Sequence, residues 1–164
     1  PTRVGGALEG HYVVDVACGS FHTVALTRTG TVFCWGDNAN GQCGSGTLPE
    51  AVTRPYCVAS LCVVGGGVAK AISCGRQHTA VVMQGPHPWC RNYCCQLRHD
   101  GKPQADHGQV YVFGESKGMG LGSAQKVCTA KLVPAMESHN VHSVVSGLHH
   151  TFVTADVIPP VPYS

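Results

Sequence analysis

Residues 13–46 read VVDVACGSFHTVALTRTGTVFCWGDNANGQCGSG and contain three short runs that predict β-strands. The runs are Val13–Ala17, Thr23–Thr27 and Thr31–Trp35, each rich in Val, Thr or aromatic residues in near alternation. The two gaps between them are short and contain glycine, which indicates antiparallel neighbours because a parallel crossover needs a dozen or more residues. The stretch therefore predicts one antiparallel sheet unit.

This unit recurs along the chain. The motif CGSFHT at residues 18–23 returns as CGRQHT at 74–79 and as SGLHHT at 146–151, while FCWG at 33–36 returns as YVFG at 111–114. The first and second copies of the CGxxHT motif are 56 residues apart, whereas FCWG and YVFG are 78 residues apart. The second copy therefore has 22 additional residues between its two motifs. Without these residues, the interval between the motifs at 74 and 146 would be 50 residues instead of 72. Such a period, with several strands in each repeat, is typical of a propeller or a similar repeat array.

The repeated motifs resemble the regulator-of-chromosome-condensation repeat. The resemblance rests on the CGxxHT motif, the Thr-Gly turn, Trp35-Gly36-x-Asn38 and Gly41-Gln42-x-Gly44. It implies a β-propeller, usually of seven four-stranded blades, and does not by itself imply one activity. We therefore expect an all-β fold over residues 1–155, with about two full blades and pieces of two others. Residues 156–164 are expected to form a proline-rich tail or linker.

The chain is expected to be part of a longer polypeptide. Residues 1–12 correspond to the last strand of a preceding blade and its crossing, as residues 131–137 do before the third copy. Repeat units do not bury their apolar faces alone, and a seven-blade ring at roughly 50 residues per blade needs about 350 residues. We expect the remaining blades elsewhere in the same chain or in a partner.

Glycines and histidines at equivalent repeat positions are interpreted as structural. A catalytic histidine would have to differ from its counterparts, so a hydrogen bond from each imidazole to a neighbouring strand is favoured. The glycines are expected to allow positive φ or close strand approach. These positions are Gly19, His22, Gly36, Gly75, His78, Gly114, Gly147 and His150.

Strand alternation predicts which side chains lie in the interior. Val24 and Leu26 should share one face, as should Val32 and Cys34, with their neighbours on the opposite face. The residues expected in sheet interiors are Val14, Val24, Val32, Ala80, Val82, Val110, Val112 and Phe152.

The additional residues predict an insertion at 85–107, where the first copy has only the turn Arg28-Thr29-Gly30. Loops of this length are usually functional or disordered. We expect this one to carry binding specificity, through an interaction loop that comprises His87, Trp89, Arg91, Tyr93 and Arg98. No cofactor is expected. The alternative is zinc held by Cys90, Cys94, Cys95 and His99, although their spacing is not that of a standard zinc module.

Composition limits the cellular compartments and the classes of binding partner that are expected for this chain. Only 12% of residues are charged and the net charge is +2, without a basic run that would indicate nucleic-acid binding and without an apolar run long enough to span a membrane. Among the ten cysteines, Cys18 and Cys74 share a repeat position, Cys34 aligns with Val112, and Cys57 aligns roughly with Val133. These cysteines are interpreted as small hydrophobes, which indicates reduced thiols and an intracellular protein, cytoplasmic or nuclear.

The sequence contains no paired carboxylates and no recognisable Ser-His-Asp or Cys-His arrangement, so a non-catalytic role is favoured over an enzyme. We expect a protein-interaction segment of a larger multidomain protein, with other proteins as partners and a small GTPase among the candidates. The family resemblance implies an alternative: guanine-nucleotide exchange on a Ran-type small GTPase, with the insertion as a wedge. A third possibility is an inhibitory or substrate-binding domain attached to a ligase or kinase.

Overall fold

A computed structural model describes residues 2–47, 51–63, 67–85, 107–115, 119–122 and 125–157. Ten strands account for most of these residues. They are β1 (Val13–Cys18), β2 (His22–Thr27), β3 (Val32–Asp37), β4 (Ala51–Cys57), β5 (Val68–Cys74), β6 (His78–Gly85), β7 (His107–Gly114), β8 (Val127–Leu132), β9 (His139–Ser146) and β10 (Thr151–Val157). One short helix, α1 (Ala59–Val63), and two 3-10 helices, Gly6–Leu8 and Pro134–Met136, lie between strands or before them.

The strands form three antiparallel sheets, each made of consecutive strands. Blade 1 has the order β1-β2-β3-β4, blade 2 has the order β5-β6-β7-β8, and blade 3 comprises β9 and β10. Four-stranded meanders that repeat along a chain are the units of a β-propeller. The prediction of an all-β, partial propeller is therefore confirmed.

Blades 1 and 2 share the same pairing register. His22 is opposite Gly36 in blade 1, and His78 is opposite Gly114 in blade 2. The first strand pair of each blade also has an irregularity at the same place, between Val13 and Asp15 and between Ala69 and Ala71. The sequence repeat is thus a repeat of strand register as well.

Strand β6 is buried on both faces, because blade 2 lies between blades 1 and 3. Four consecutive residues, Ala80 to Met83, are no more than 4% exposed. In blade 1, Ala25 and Phe33 are also buried on the face opposite Val24, and the His11 ring lies 5.0 Å from the Phe33 ring. The central strands are therefore buried on both faces, and alternation in them separates two buried faces.

Two of the eight residues expected in sheet interiors are exposed. Val14 lies in β1 and is 51% exposed, and Phe152 lies in β10 and is 64% exposed. Both belong to strands as predicted, but at least half of each residue is open to solvent. The other six are 2% exposed or less.

The connections differ from expectation in two places. In residues 2–12 the described secondary structure is a 3-10 helix at Gly6–Leu8, where the last strand of a preceding blade was predicted. The backbone amide of Val58 donates to Val32 O, and that of Val133 donates to Val110 O, so Val58 rather than Cys57 is the counterpart of Val133. No helix among the described residues is long and apolar enough to span a membrane.

Candidate functional site

The junction between blades 1 and 2 contains a chain of two hydrogen bonds. His22 Nε2 lies 2.9 Å from Thr79 Oγ1, which in turn donates to Gln42 O at 2.8 Å. Because the single hydroxyl proton of Thr79 goes to Gln42 O, Thr79 accepts from His22, which must carry its proton on Nε2. His22, Thr79 and Gln42 are all almost fully buried.

Burial explains why the imidazole of His22 stays neutral. Its Nδ1 is buried and has no hydrogen-bond partner in the described part of the chain. Burial, and next the neighbouring imidazole of His78, lower the pKa of His22 to about 4. Burial also lowers the pKa of His78. A neutral donor suits a structural hydrogen bond between blades.

The same contact recurs one blade later and changes at blade 3. His78 Nε2 lies 3.0 Å from Thr151 Oγ1, so each imidazole reaches the threonine of the following motif. His150 is exposed, its ring lies 4.9 Å from the Phe152 ring, and its Nε2 edge faces Gly147. His22 and His78 turn the Cε1–Nδ1 edge toward their glycines instead. The ring orientation therefore differs where no described threonine follows.

The repeated glycines allow backbones to approach at the same junctions. A Cβ built on Gly19 would lie 2.6 Å from Gly75 O, and one on Gly75 would lie 2.6 Å from Gly147 O. Gly36 and Gly114 have φ of +112° and +116°, a conformation that other residues rarely adopt. Close approach between blades explains the first set, and backbone conformation explains the second.

Sequence reasoning missed the buried amides of the loop after β3. Asn38 and Gln42 are both fully buried. Asn38 Oδ1 accepts from the Cys43 amide at 2.9 Å, and Gln42 Nε2 donates to Asp37 Oδ2 at 2.7 Å. These bonds hold the loop so that Gln42 O faces Thr79. The repeat motif contains both residues, but polar residues in a loop do not by themselves indicate that their side chains are buried.

The rim of blade 2 is the end of the hairpin formed by β6 and β7. Pairing continues as far as Gly85 opposite His107, whereas the equivalent hairpin of blade 1 ends in a turn in which the Gly30 amide donates to Thr27 O. The predicted insertion at 85–107 thus has both its end residues in strands. The interaction-loop residues His87, Trp89, Arg91, Tyr93 and Arg98 lie outside the described residues, as do Cys90, Cys94, Cys95 and His99.

The base of this rim hairpin is held by blade 3. The Gly108 amide donates to Asn140 Oδ1 at 2.8 Å, and a side chain on Gly108 would collide with Val141 O. Tyr111 Oη donates to Gln109 Oε1 at 3.2 Å, and both residues are buried. Two blades therefore fix the position from which the inserted segment leaves the sheet.

The part of the chain that the structure describes contains no group of three or more potential ligands placed to hold a metal. The zinc hypothesis concerns other residues and stays a prediction. The described geometry offers hydrogen-bonded junctions between blades and a supported rim, both of which suit a rigid recognition surface.

Comparison with known proteins agrees with the repeat geometry. A family model described as the Regulator of chromosome condensation (RCC1) repeat matches residues 29–82, and a second model of the same description matches residues 13–42. These matches include blade 1 and the first half of blade 2.

Similar proteins are much longer than this chain. Human E3 ubiquitin-protein ligase HERC2 is 43% identical over 79 residues, which are 48% of this chain and 2% of that protein. Mouse Alsin is 35% identical over 98 residues, which are 56% of this chain and 6% of that protein. A crystal structure of human WBSCR16 is similar with 21% identity and a TM-score of 0.47, covering 95% of this chain and 48% of that one. By its repeats, its strand register and these family matches, the chain belongs to the regulator of chromosome condensation repeat family.

Proposed function

We propose that this chain is a non-catalytic, protein-binding propeller segment of a larger multidomain protein. The observation that carries the proposal is the rim hairpin of blade 2. Its strands stay paired to Gly85 and His107, and its base is hydrogen-bonded to blade 3 through Gly108 and Asn140. Variable segments on a rigid frame are the usual means by which repeat proteins recognise partners.

The composition of the inserted segment supports a protein partner. Residues 86–106 contain Trp89 and Tyr93 together with Arg91 and Arg98. Aromatic residues and arginine are enriched at the centres of protein interfaces. A basic run that would favour nucleic acid is absent from the sequence. We therefore assign the recognition surface to this segment rather than to the repeated geometry of the blade junctions.

One relative indicates the kind of protein in which such a segment functions. HERC2 is named as an E3 ubiquitin-protein ligase, and this chain matches a small part of it. By analogy, the propeller would recruit a substrate or regulator for an activity that resides elsewhere in its polypeptide. This context favours recruitment over catalysis by the propeller itself.

The test compares the full-length protein with a variant in which residues 86–106 are replaced by a short turn. Bound cellular proteins are quantified by mass spectrometry after cross-linking, and the Kd of the most enriched partner is then measured with purified proteins. Loss of at least about 100-fold in affinity is expected if aromatic and arginine residues of the segment dominate the interface. Thermal unfolding should change little, because the segment leaves from a paired hairpin.

The matched control is a full-length protein with residues 86–106 in scrambled order, which keeps their length and composition. It should fold normally and bind as weakly as the shortened variant. Unchanged affinity in both variants would contradict the proposal. Loss of folding in the shortened variant alone would assign the segment a structural role.

The family resemblance favours a second candidate, guanine-nucleotide exchange on a Ran-type small GTPase with the inserted segment as the wedge. The location of the segment at a supported rim is compatible with that role. Release of a fluorescent GDP analogue from purified GTPases distinguishes the two. Acceleration that disappears in the shortened variant would favour exchange, whereas binding without acceleration would favour recruitment.

A further inference from the structure

Two cysteines meet at the connection from blade 1 to blade 2. Cys57, the last residue of β4, is partly buried, and Cys62 in α1 is exposed. Their Sγ atoms lie 3.9 Å apart. Neither cysteine is a counterpart of a core residue of blade 2, because Val58 occupies the position of Val133.

The fold holds both residues in place. Cys57 is paired with Phe33 across β3 and β4. Helix α1 is fixed on two sides, since Leu61 is buried in the core and Ser60 Oγ accepts from the Ala130 amide of β8 at 3.1 Å. The proximity of the two thiols therefore follows from contacts with blades 1 and 2.

The separation is close to that required for a bond. A disulfide has its sulfurs about 2.05 Å apart, so these two must approach by roughly 2 Å. A change of rotamer at one cysteine moves its sulfur by a distance of this order, and exposed Cys62 has room for it. By contrast, Cys34 and Cys43 are fully buried, so an oxidant cannot reach them in the folded protein.

We propose that Cys57 and Cys62 form a reversible disulfide site that a low-molecular-weight disulfide such as oxidised glutathione can oxidise. The Cys62 thiolate attacks one sulfur of the oxidant, forms a mixed disulfide and releases one glutathione thiolate. The Cys57 thiolate then attacks the Cys62 sulfur and releases the second glutathione thiolate. The protein loses two electrons and two protons, and both appear in two molecules of reduced glutathione.

The order of attack follows from exposure. Cys62 is open to the oxidant, whereas burial and the neighbouring Cys62 raise the pKa of Cys57 to about 11. Cys57 therefore suits the second, intramolecular step, in which proximity replaces a high thiolate fraction. The bond would link the end of blade 1 to the helix that carries the chain toward blade 2.

The experiment equilibrates the full-length protein with glutathione buffers of increasing oxidised fraction, followed by acid quenching and chymotrypsin digestion. Cleavage after Tyr56 and Leu61 separates the two cysteines into different peptides unless a disulfide joins them. We expect a linked peptide pair that separates on reduction and disappears in Cys57→Ser and Cys62→Ser. Cys128→Ser is the matched control and should leave the linked pair unchanged.

A parallel titration in concentrated urea tests whether the fold creates the site. The ratio of linked to free thiols at a given glutathione buffer should fall at least about tenfold when the contacts of Phe33 and Leu61 are lost. The same ratio in folded and unfolded protein would overturn the proposal. Mixed disulfides at Cys62 without the linked pair in the folded protein would overturn it as well.

Discussion

His22 and Thr79 join two blades through a hydrogen bond of 2.9 Å between Nε2 and Oγ1, although they are 57 residues apart in the chain. The Thr79 hydroxyl also donates a hydrogen bond to Gln42 O, which belongs to the backbone of a third segment. The two bonds thus couple β6 of blade 2 to both β2 and the loop after β3 of blade 1. His78 and Thr151 make the corresponding bond between blades 2 and 3.

Replacing Thr79 by valine should destabilise the protein by about 2–3 kcal/mol. The substitution keeps the shape of the side chain but leaves His22 Nε2–H and Gln42 O buried without this partner. The free energy of unfolding is measured by urea denaturation of the full-length protein, monitored through a signal that reports on the propeller. Thr154→Val is the control, since its hydroxyl is exposed and bonds to that of Ser143, and its cost should be below about 0.5 kcal/mol. Equal costs for the two variants would argue against an energetic role of the junction.

Stability should decrease as the pH falls below the ordinary pKa of histidine. The unfolded His22 takes up a proton near pH 6.5, whereas the folded residue does so only near pH 4, so the unfolded state binds more protons between these values. The free energy of unfolding should therefore drop by up to about 3 kcal/mol from pH 7 to pH 4 on account of His22. The lowered pKa of His78 acts in the same direction.

Denaturant unfolding at several pH values checks this dependence. In His22→Gln an amide can still donate to Thr79, but the residue no longer titrates. The variant should therefore show a shallower pH dependence than the unaltered protein. An identical slope in both proteins would assign the pH dependence to other groups.

Replacing Gly75 by alanine should be among the most damaging small substitutions in the chain. The new Cβ would meet Gly147 O and the His78 ring, so blades 2 and 3 would have to separate locally. A cost of about 3 kcal/mol or more is expected in the free energy of unfolding. Gly122→Ala provides the comparison, because Gly122 has positive φ but no atom within 4 Å of a built Cβ. Its cost should be about 1 kcal/mol, and a larger effect than at Gly75 would contradict the close-approach argument.

Most of the ten cysteines should be free thiols in protein isolated without reductant. Cys34 and Cys43 are fully buried, and burial raises the pKa of Cys74 to about 12, so these thiols should react only after unfolding. Thiol titration before denaturation gives the number of accessible thiols, and titration after denaturation gives the total number of free thiols. Finding most thiols blocked as disulfides would overturn the prediction of a reducing compartment.

The sequence predicted the strands and their repetition well, because both depend on local patterns. Alternation located β1, β2 and β3 to within two residues, and the two repeated motifs occupy equivalent register positions in blades 1 and 2. Antiparallel pairing followed from the short glycine-containing connections. Helix α1 was missed because it is five residues long and has no amphipathic repeat from which to recognise it.

The burial of each face could not be predicted from one strand. Phe33 is buried on a face that the His11 ring contacts, whereas Phe152 is exposed although the next residue, Val153, packs against the core. The hydrogen-bond partners of His22 and His78 could not be predicted from the sequence either. Both threonines recur directly after the histidines, but the bonds join each histidine to the threonine of the next copy, which only the packing of blades reveals.

The paired residues Gly85 and His107 hold the two ends of the inserted segment at the spacing of neighbouring strands. The entropic cost of closing a longer segment between fixed ends grows only with the logarithm of its length, by about 0.6 kcal/mol for each doubling. Mutation can therefore lengthen or rewrite residues 86–106 at small thermodynamic cost while blade 2 keeps its register. The fold therefore tolerates changes of sequence and length at this hairpin, and relatives with different partners should diverge there first.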